Sequence, residues 1–285
     1  MVVGMATGKR VNLALGSGGA RGYAHIGVIA ELEARGYEIA GVAGSSMGAL
    51  VGGLYAAGRL GEFTSWATTL GQFEVVRLLD PALTEPGVIR AAKILDRIRE
   101  LLGELRIEDL PMPYLAVATD LSAGRSIWYQ RGDLDSAIRA SISIPGFITP
   151  VLVDGHVLVD GGVLDPLPVV ATLALGPADL TIAVDLSGPP DPVYDREQPR
   201  TNWFRQWWRP TAQPQALTSI RATDVAQRAI DLMLAALTRQ HLAAHPADLV
   251  IEIPQNVCGT MDFHRAEPII AQGRALAAAA LDTLA

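Results

Sequence analysis

Apolar residues run unbroken from Val11 to Leu15, stop at Gly16, and return at helical spacing between about Gly22 and Arg35. A short continuous run ending in glycine reads as a buried strand, and the change of period after it reads as a helix. The pattern repeats at once, with a second strand over 39–43 and a helix of small residues through about Ala57. Two strand, loop and helix units in succession predict parallel strands, because parallel neighbours need a helical crossover. Further β-rich runs at 114–119, 126–129, 151–153, 157–159, 180–186 and 249–253 complete the expected sheet. Helices are expected over 88–102, 134–140, 216–243 and 267–284. The fold class is therefore α/β, layered, with a mainly parallel central sheet flanked by helices.

The second strand ends in Gly44-Ser45-Ser46-Met47-Gly48, a G-x-S-x-G sequence with a strand before it and a helix after it. That context is what a nucleophile elbow requires: a sharp turn exposes the Ser46 hydroxyl, and the flanking glycines allow close chain approach. By itself the motif reads equally well as a tight turn in a glycine-rich chain. Gly16-Ser17-Gly18-Gly19-Ala20-Arg21-Gly22 is a second glycine loop between strand and helix, able to aim backbone N–H groups at one oxygen. Dinucleotide binding competes for this loop, but Arg21 stands where the third glycine of G-x-G-x-x-G belongs, and no Gly-Lys-Ser/Thr follows for a phosphate loop.

Gly18-Gly19-Ala20-Arg21-Gly22, the Gly44 to Gly48 elbow and Asp160-Gly161-Gly162 stand in the order found in patatin-like phospholipases, which this chain resembles over about residues 11–186. Arg139-Ala140-Ser141-Ile142-Ser143-Ile144-Pro145-Gly146 is similar to the family's stretch before its aspartate motif. Within the family the chain most resembles small bacterial members related to neuropathy target esterase, whose ending is similar to Met261-Asp262-Phe263-His264-Arg265-Ala266-Glu267. The resemblance implies a three-layer patatin-like fold and a Ser-Asp dyad, Ser46 and Asp160, with no histidine required. It also implies an oxyanion hole at Gly18, Gly19 and Ala20, supported by Arg21, Gly44, Gly48, Gly161 and Gly162. The implied activity is a serine acyl-ester hydrolase that releases fatty acid from a phospholipid or lysophospholipid, with a lipid ester as partner. The division expected is a catalytic core over 11–186, a Pro- and Trp-rich loop or flap over 187–214, and a C-terminal helical extension over 215–285.

Several of these residues admit other readings. Asp160-Gly161 is also a common turn pair. His241, His245 or His264 would complete a Ser-Asp-His order of the α/β-hydrolase kind. His25, in the first helix, reads as a packed or capping histidine, and neither it nor His156 has metal-ligand spacing, so no metal and no cofactor is expected. The uncharged stretch 39–58 is long enough to span a bilayer and carries Gly44, Gly48 and Gly52 at helix-pairing spacing, but its glycines and serines argue for a strand and a turn instead. Trp203, Phe204, Trp207 and Trp208 beside Arg205 and Arg209 suit either a lipid headgroup boundary or an anchor for a long loop.

A net charge of -7 excludes nucleic acid as a partner, since phosphate binding needs a field of Lys and Arg. Cys258 is the one cysteine, so no intrachain disulfide forms, which suits a reducing cytoplasm. The N-terminus has no basic region ahead of an apolar run, so a secretory leader is not expected. The expected setting is cytoplasmic, with peripheral contact at the inner membrane face and room for a homo-oligomer. The competing class is a non-hydrolytic lipid-binding or regulatory protein on the same fold.

Overall fold

The structure, a computed structural model, describes residues 8–79, 92–195 and 222–284. The first unit is β1 (Arg10–Leu15), a 3-10 helix at Gly19–Tyr23 and α1 (Ala24–Ala34); the second is β2 (Glu38–Ser45) and α2 (Met47–Ala56). Three helices follow, α3 (Leu60–Ala67), α4 (Gln72–Leu79) and α5 (Ala92–Leu102). Then come β3 (Tyr114–Asp120), β4 (Arg125–Tyr129), α6 (Leu134–Ser141), β5 (Val151–Val153) and β6 (His156–Asp160). A 3-10 segment at Val170–Leu175 leads to β7 (Leu180–Gly188), and the short α7 (Pro192–Asp195) follows it. The described chain closes with α8 (Ala222–Ala244), β8 (Leu249–Pro254) and α9 (Ala266–Leu281). The tryptophan-rich segment and the predicted helical residues 88–91 and 216–221 lie outside the described residues.

The strand expected over 39–43 is longer than its pattern suggested. Its ladders to β1 and β3 continue through Gly44 and Ser45, so pairing overrides the local turn signal and the chain turns at Ser46 instead. The stretch 39–58 is thus divided between a strand and a helix of 10 residues. Among the described residues no helix is long and apolar enough to cross a membrane, which removes the membrane-span reading.

Strands β3, β2, β1, β7 and β8 are neighbours in that order and all pair in parallel. Along each, period-two alternation sends successive side chains to opposite faces. Leu13, Leu15, Val42, Ile182 and Val184 join the main core with α1, α2, α5, α6 and α9. Ala14 and Ala183 pack with Leu167, Val169 and Leu242 of α8, and Ala43 with Leu115, Val117, Ala171 and Leu175. Helices therefore cover both faces, as buried parallel sheets demand.

The antiparallel end of the sheet decides where the chemistry sits. β4 pairs with β3 from Ala116 to Asp120 and so occupies one edge of that strand. A strand has only two edges, so β2, paired at 114–117, and β6, paired at 118–120, must share the other edge end to end. Ser45 lies opposite Val117 and Asp160 opposite Ala118. The sheet register thus brings the elbow and the aspartate motif together across 114 residues of sequence.

Helices α1 and α9 pack tightly enough to need glycine at the crossing. A Cβ on Gly27 would fall on the Ile270 carbonyl, and one on Gly273 on the Ala24 backbone. Gly273→Val is therefore expected to cost about 1–3 kcal/mol through forced separation of the helices. Thermal unfolding checks it: Tm should fall by several degrees, and an unchanged Tm would contradict the close crossing.

Candidate active site

Ser46 is held in a conformation that L-residues rarely adopt, with φ 55° and ψ -123°. Such backbone persists only where its surroundings impose it, and here both sides do. A Cβ on Gly48 would fall on the Leu15 carbonyl, and one on Gly44 on the Gly48 carbonyl, so α2 can start against β1 only with glycine at both places. The Ser46 N–H donates to Ser141 Oγ at 2.9 Å, and that hydroxyl donates to the Val117 carbonyl at 2.6 Å. Ser141 belongs to the family-like stretch 139–146, and its place at the end of α6 makes it the clamp on the turn.

The Ser46 hydroxyl donates to Asp160 Oδ2 at 2.5 Å, and both residues are buried, at 2% and 4% exposure. Asp160 is fixed from several directions. Its N–H donates to the Ser143 carbonyl at 2.9 Å, and its Oδ1 accepts the Gly162 N–H at 2.7 Å. Gly161 passes against the Val117 carbonyl with no room for a side chain. Burial raises the Asp160 carboxyl to about 7, against the lowering by its bonds from Ser46 and Gly162. A carboxylate with that proton affinity can take a hydroxyl proton near neutral pH, which an ordinary one does poorly.

The Gly16 to Gly22 loop faces the same place. Gly16 and Ser17 N–H groups donate to the Val184 and Pro166 carbonyls. Ala20, expected to turn its N–H toward the reacting oxygen, donates it instead to the Thr260 carbonyl at 2.8 Å, a contact with the C-terminal part of the chain that no local pattern announces. Gly18 and Gly19 keep N–H groups that bond to nothing among the described residues, and both line a cavity with Ser46. Arg21 is buried beneath the loop, with its Nε donating to the Gly18 carbonyl at 3.1 Å and its remaining nitrogens reaching Leu186, Thr260 and Asp231. Because a peptide is planar, holding the Gly18 carbonyl also fixes the direction of the Gly19 N–H.

No histidine among the described residues bonds Ser46 or Asp160. His241 Nδ1 lies 3.1 Å from Asp165, and His156 Nδ1 lies 2.8 Å from Asp120. His25 is wholly buried, and its Nε2 donates to the Gly16 carbonyl at 2.9 Å. Burial lowers its pKa to about 4, so it stays neutral and braces the loop as a packed histidine would. Among the described residues no three His, Cys, Asp or Glu side chains gather to hold a metal ion.

Two cavities meet at Ser46. One is narrow, about 80 Å³, and its lining includes Leu50, Phe63, Trp66, Leu95 and Ile98, with Tyr23, Phe63 and Phe263 in ring contact. The other is wider, about 400 Å³, and combines Ile230, Met233 and Leu234 of α8 with Ser17, Arg21 and Asp160.

Comparison with known proteins agrees with this architecture. The patatin-like phospholipase family profile matches residues 13–173. An uncharacterized NTE family protein of Mycobacterium tuberculosis is 46% identical, over 97% of this chain and 92% of that protein. Lysophospholipase NTE1 of Mycosarcoma maydis is 32% identical over 96% of this chain, which spans 15% of that protein. Human patatin-like phospholipase domain-containing protein 6 is 34% identical over 63% of this chain and 14% of that protein. With its elbow, glycine loop and aspartate motif gathered at one end of a layered α/β sheet, the chain belongs to the patatin-like phospholipase family.

Proposed function

We propose that this protein is a serine acyl-ester hydrolase that releases fatty acid from a phospholipid or lysophospholipid through Ser46 and Asp160. The observation that carries the reading is the 2.5 Å hydrogen bond between the two side chains, at the meeting point of two largely apolar cavities. Asp160 takes the Ser46 proton as Oγ attacks the ester carbonyl, and the Gly18 and Gly19 N–H groups, with the N-terminus of α2, stabilise the oxyanion. Collapse expels the alcohol, which receives the proton from Asp160, and leaves an acyl-enzyme. Water, deprotonated by the same aspartate, then releases the fatty acid. The family and its lysophospholipase relatives support a lipid substrate. Exposed Ile230 and Met233 at the wider cavity support peripheral contact with a lipid surface, which for a cytoplasmic enzyme is the inner membrane face.

The test is release of fatty acid from lysophosphatidylcholine and phosphatidylcholine vesicles by the purified protein. Release from either supports the reading; release from neither favours a lipid-binding regulator. Since Asp160 acts as base only when ionised, kcat/KM should rise with pH and level off above about 7. A carboxylate of ordinary pKa would give a profile already flat from about pH 5.

A further inference from the structure

We propose that the two cavities divide the substrate between them, the fatty acyl chain lying in the narrow cavity between α2, α3 and α5 and the leaving alcohol in the wider one beside α8. This deepens the hydrolase reading and rests on it. Ser46 lines both cavities, but Asp160 lines the wider one alone. The proton that Asp160 takes from Ser46 has to reach the leaving oxygen as the ester C–O bond breaks, so that oxygen must stand on the Asp160 side. Deacylation imposes the same requirement, because the attacking water gives its proton to Asp160 and must occupy the place the alcohol has left. With the carbonyl oxygen directed at Gly18 and Gly19, the acyl chain has the opposite side of Ser46 to enter.

The walls agree with this assignment. The narrow side presents Leu50, Phe63, Trp66 and Ile98 and no charged side chain, an apolar wall of the kind a hydrocarbon chain requires. The wide side adds Ser17, Arg21, Asp231 and Thr260 to its apolar wall, which suits an alcohol carrying polar groups.

Hydrolysis of p-nitrophenyl dodecanoate relative to p-nitrophenyl butyrate tests the division, because the leaving group is the same and any unfolded fraction cancels in the ratio. Leu95→Trp, which fills the α5 wall, should lower the ratio at least tenfold, and Trp66→Ala, which opens the α3 wall, should raise it at least fivefold. Met233→Trp, on α8, should move it less than twofold. A ratio that follows Met233→Trp while ignoring both other variants would overturn the assignment. The wild-type protein gives a second measurement: in a crystal structure with a dodecyl phosphonate on Ser46, the tail should lie between α3 and α5, and a tail along α8 would overturn the proposal. If the wild-type protein hydrolyses neither ester and takes no phosphonate, the hydrolase reading itself fails.

Discussion

Asp160→Asn is expected to lower kcat by about 10³–10⁴ while making the protein more stable at pH 8. The rate loss follows from removing the proposed general base, a group whose contribution is commonly 10²–10⁴, at a site where no histidine among the described residues is in bonding contact to replace it. The amide keeps the shape, so its oxygen can still accept the Gly162 N–H, but its nitrogen now donates to Ser46 Oγ and occupies the lone pair that should attack. The stability gain comes from linkage. The folded-state pKa of Asp160 is raised to about 7 from an ordinary value of 3.8. The folded protein therefore binds more protons than the unfolded chain between these values, and the protonated carboxyl's advantage disappears as pH rises through 7. A neutral amide avoids that loss, so the variant's Tm at pH 8 should exceed the wild type's by several degrees, with the two converging toward pH 4. Assay and calorimetry on the same preparations check both halves; an active variant, or a less stable one at pH 8, would contradict the account.

Ser46→Ala and Ser46→Gly should both abolish turnover, with kcat reduced by about 10⁴ or more, as expected when a nucleophile that acts as a unit with its base is lost. The two should differ in stability. Ser46 has positive φ, where a Cβ is strained and glycine is not, so Ser46→Gly should be about 1 kcal/mol more stable than Ser46→Ala despite its greater unfolded-state entropy. Equal denaturation midpoints would mean that the elbow holds little strain. All three variants give up activity and Asp160→Asn gains stability, the trade expected where a site is built against the preferences of its own chain.

The parts of this site that lie on regular elements were legible in the sequence. The glycine loop and the elbow each follow a clear apolar run, and their residue types state what the backbone must do there. The β6 strand and Asp160 were likewise visible, but their approach to Ser46 depends on β2 and β6 sharing one edge of β3, which no local pattern encodes. The missed pieces have a physical explanation. Of α3 only Phe63 and Ala67 are buried, too few positions for a helical period to stand out. Ser141 and Thr260 act through hydrogen bonds to residues far away in the sequence, Ser46 at 95 positions and Ala20 at 240, so neither leaves a trace in composition or spacing. Ala20 was expected to share the oxyanion with its neighbours because the loop reads as a uniform run of N–H groups; the Thr260 carbonyl divides that run.

Whether Ser46 is a nucleophile activated by Asp160 is read by covalent labelling with a long-chain alkyl phosphonate, followed by intact mass and peptide mapping. One label per chain is expected on Ser46, none on Ser46→Ala, and labelling of Asp160→Asn slowed by orders of magnitude. A wild-type protein that takes no label, with or without lipid vesicles, or that takes it on another residue, would contradict it.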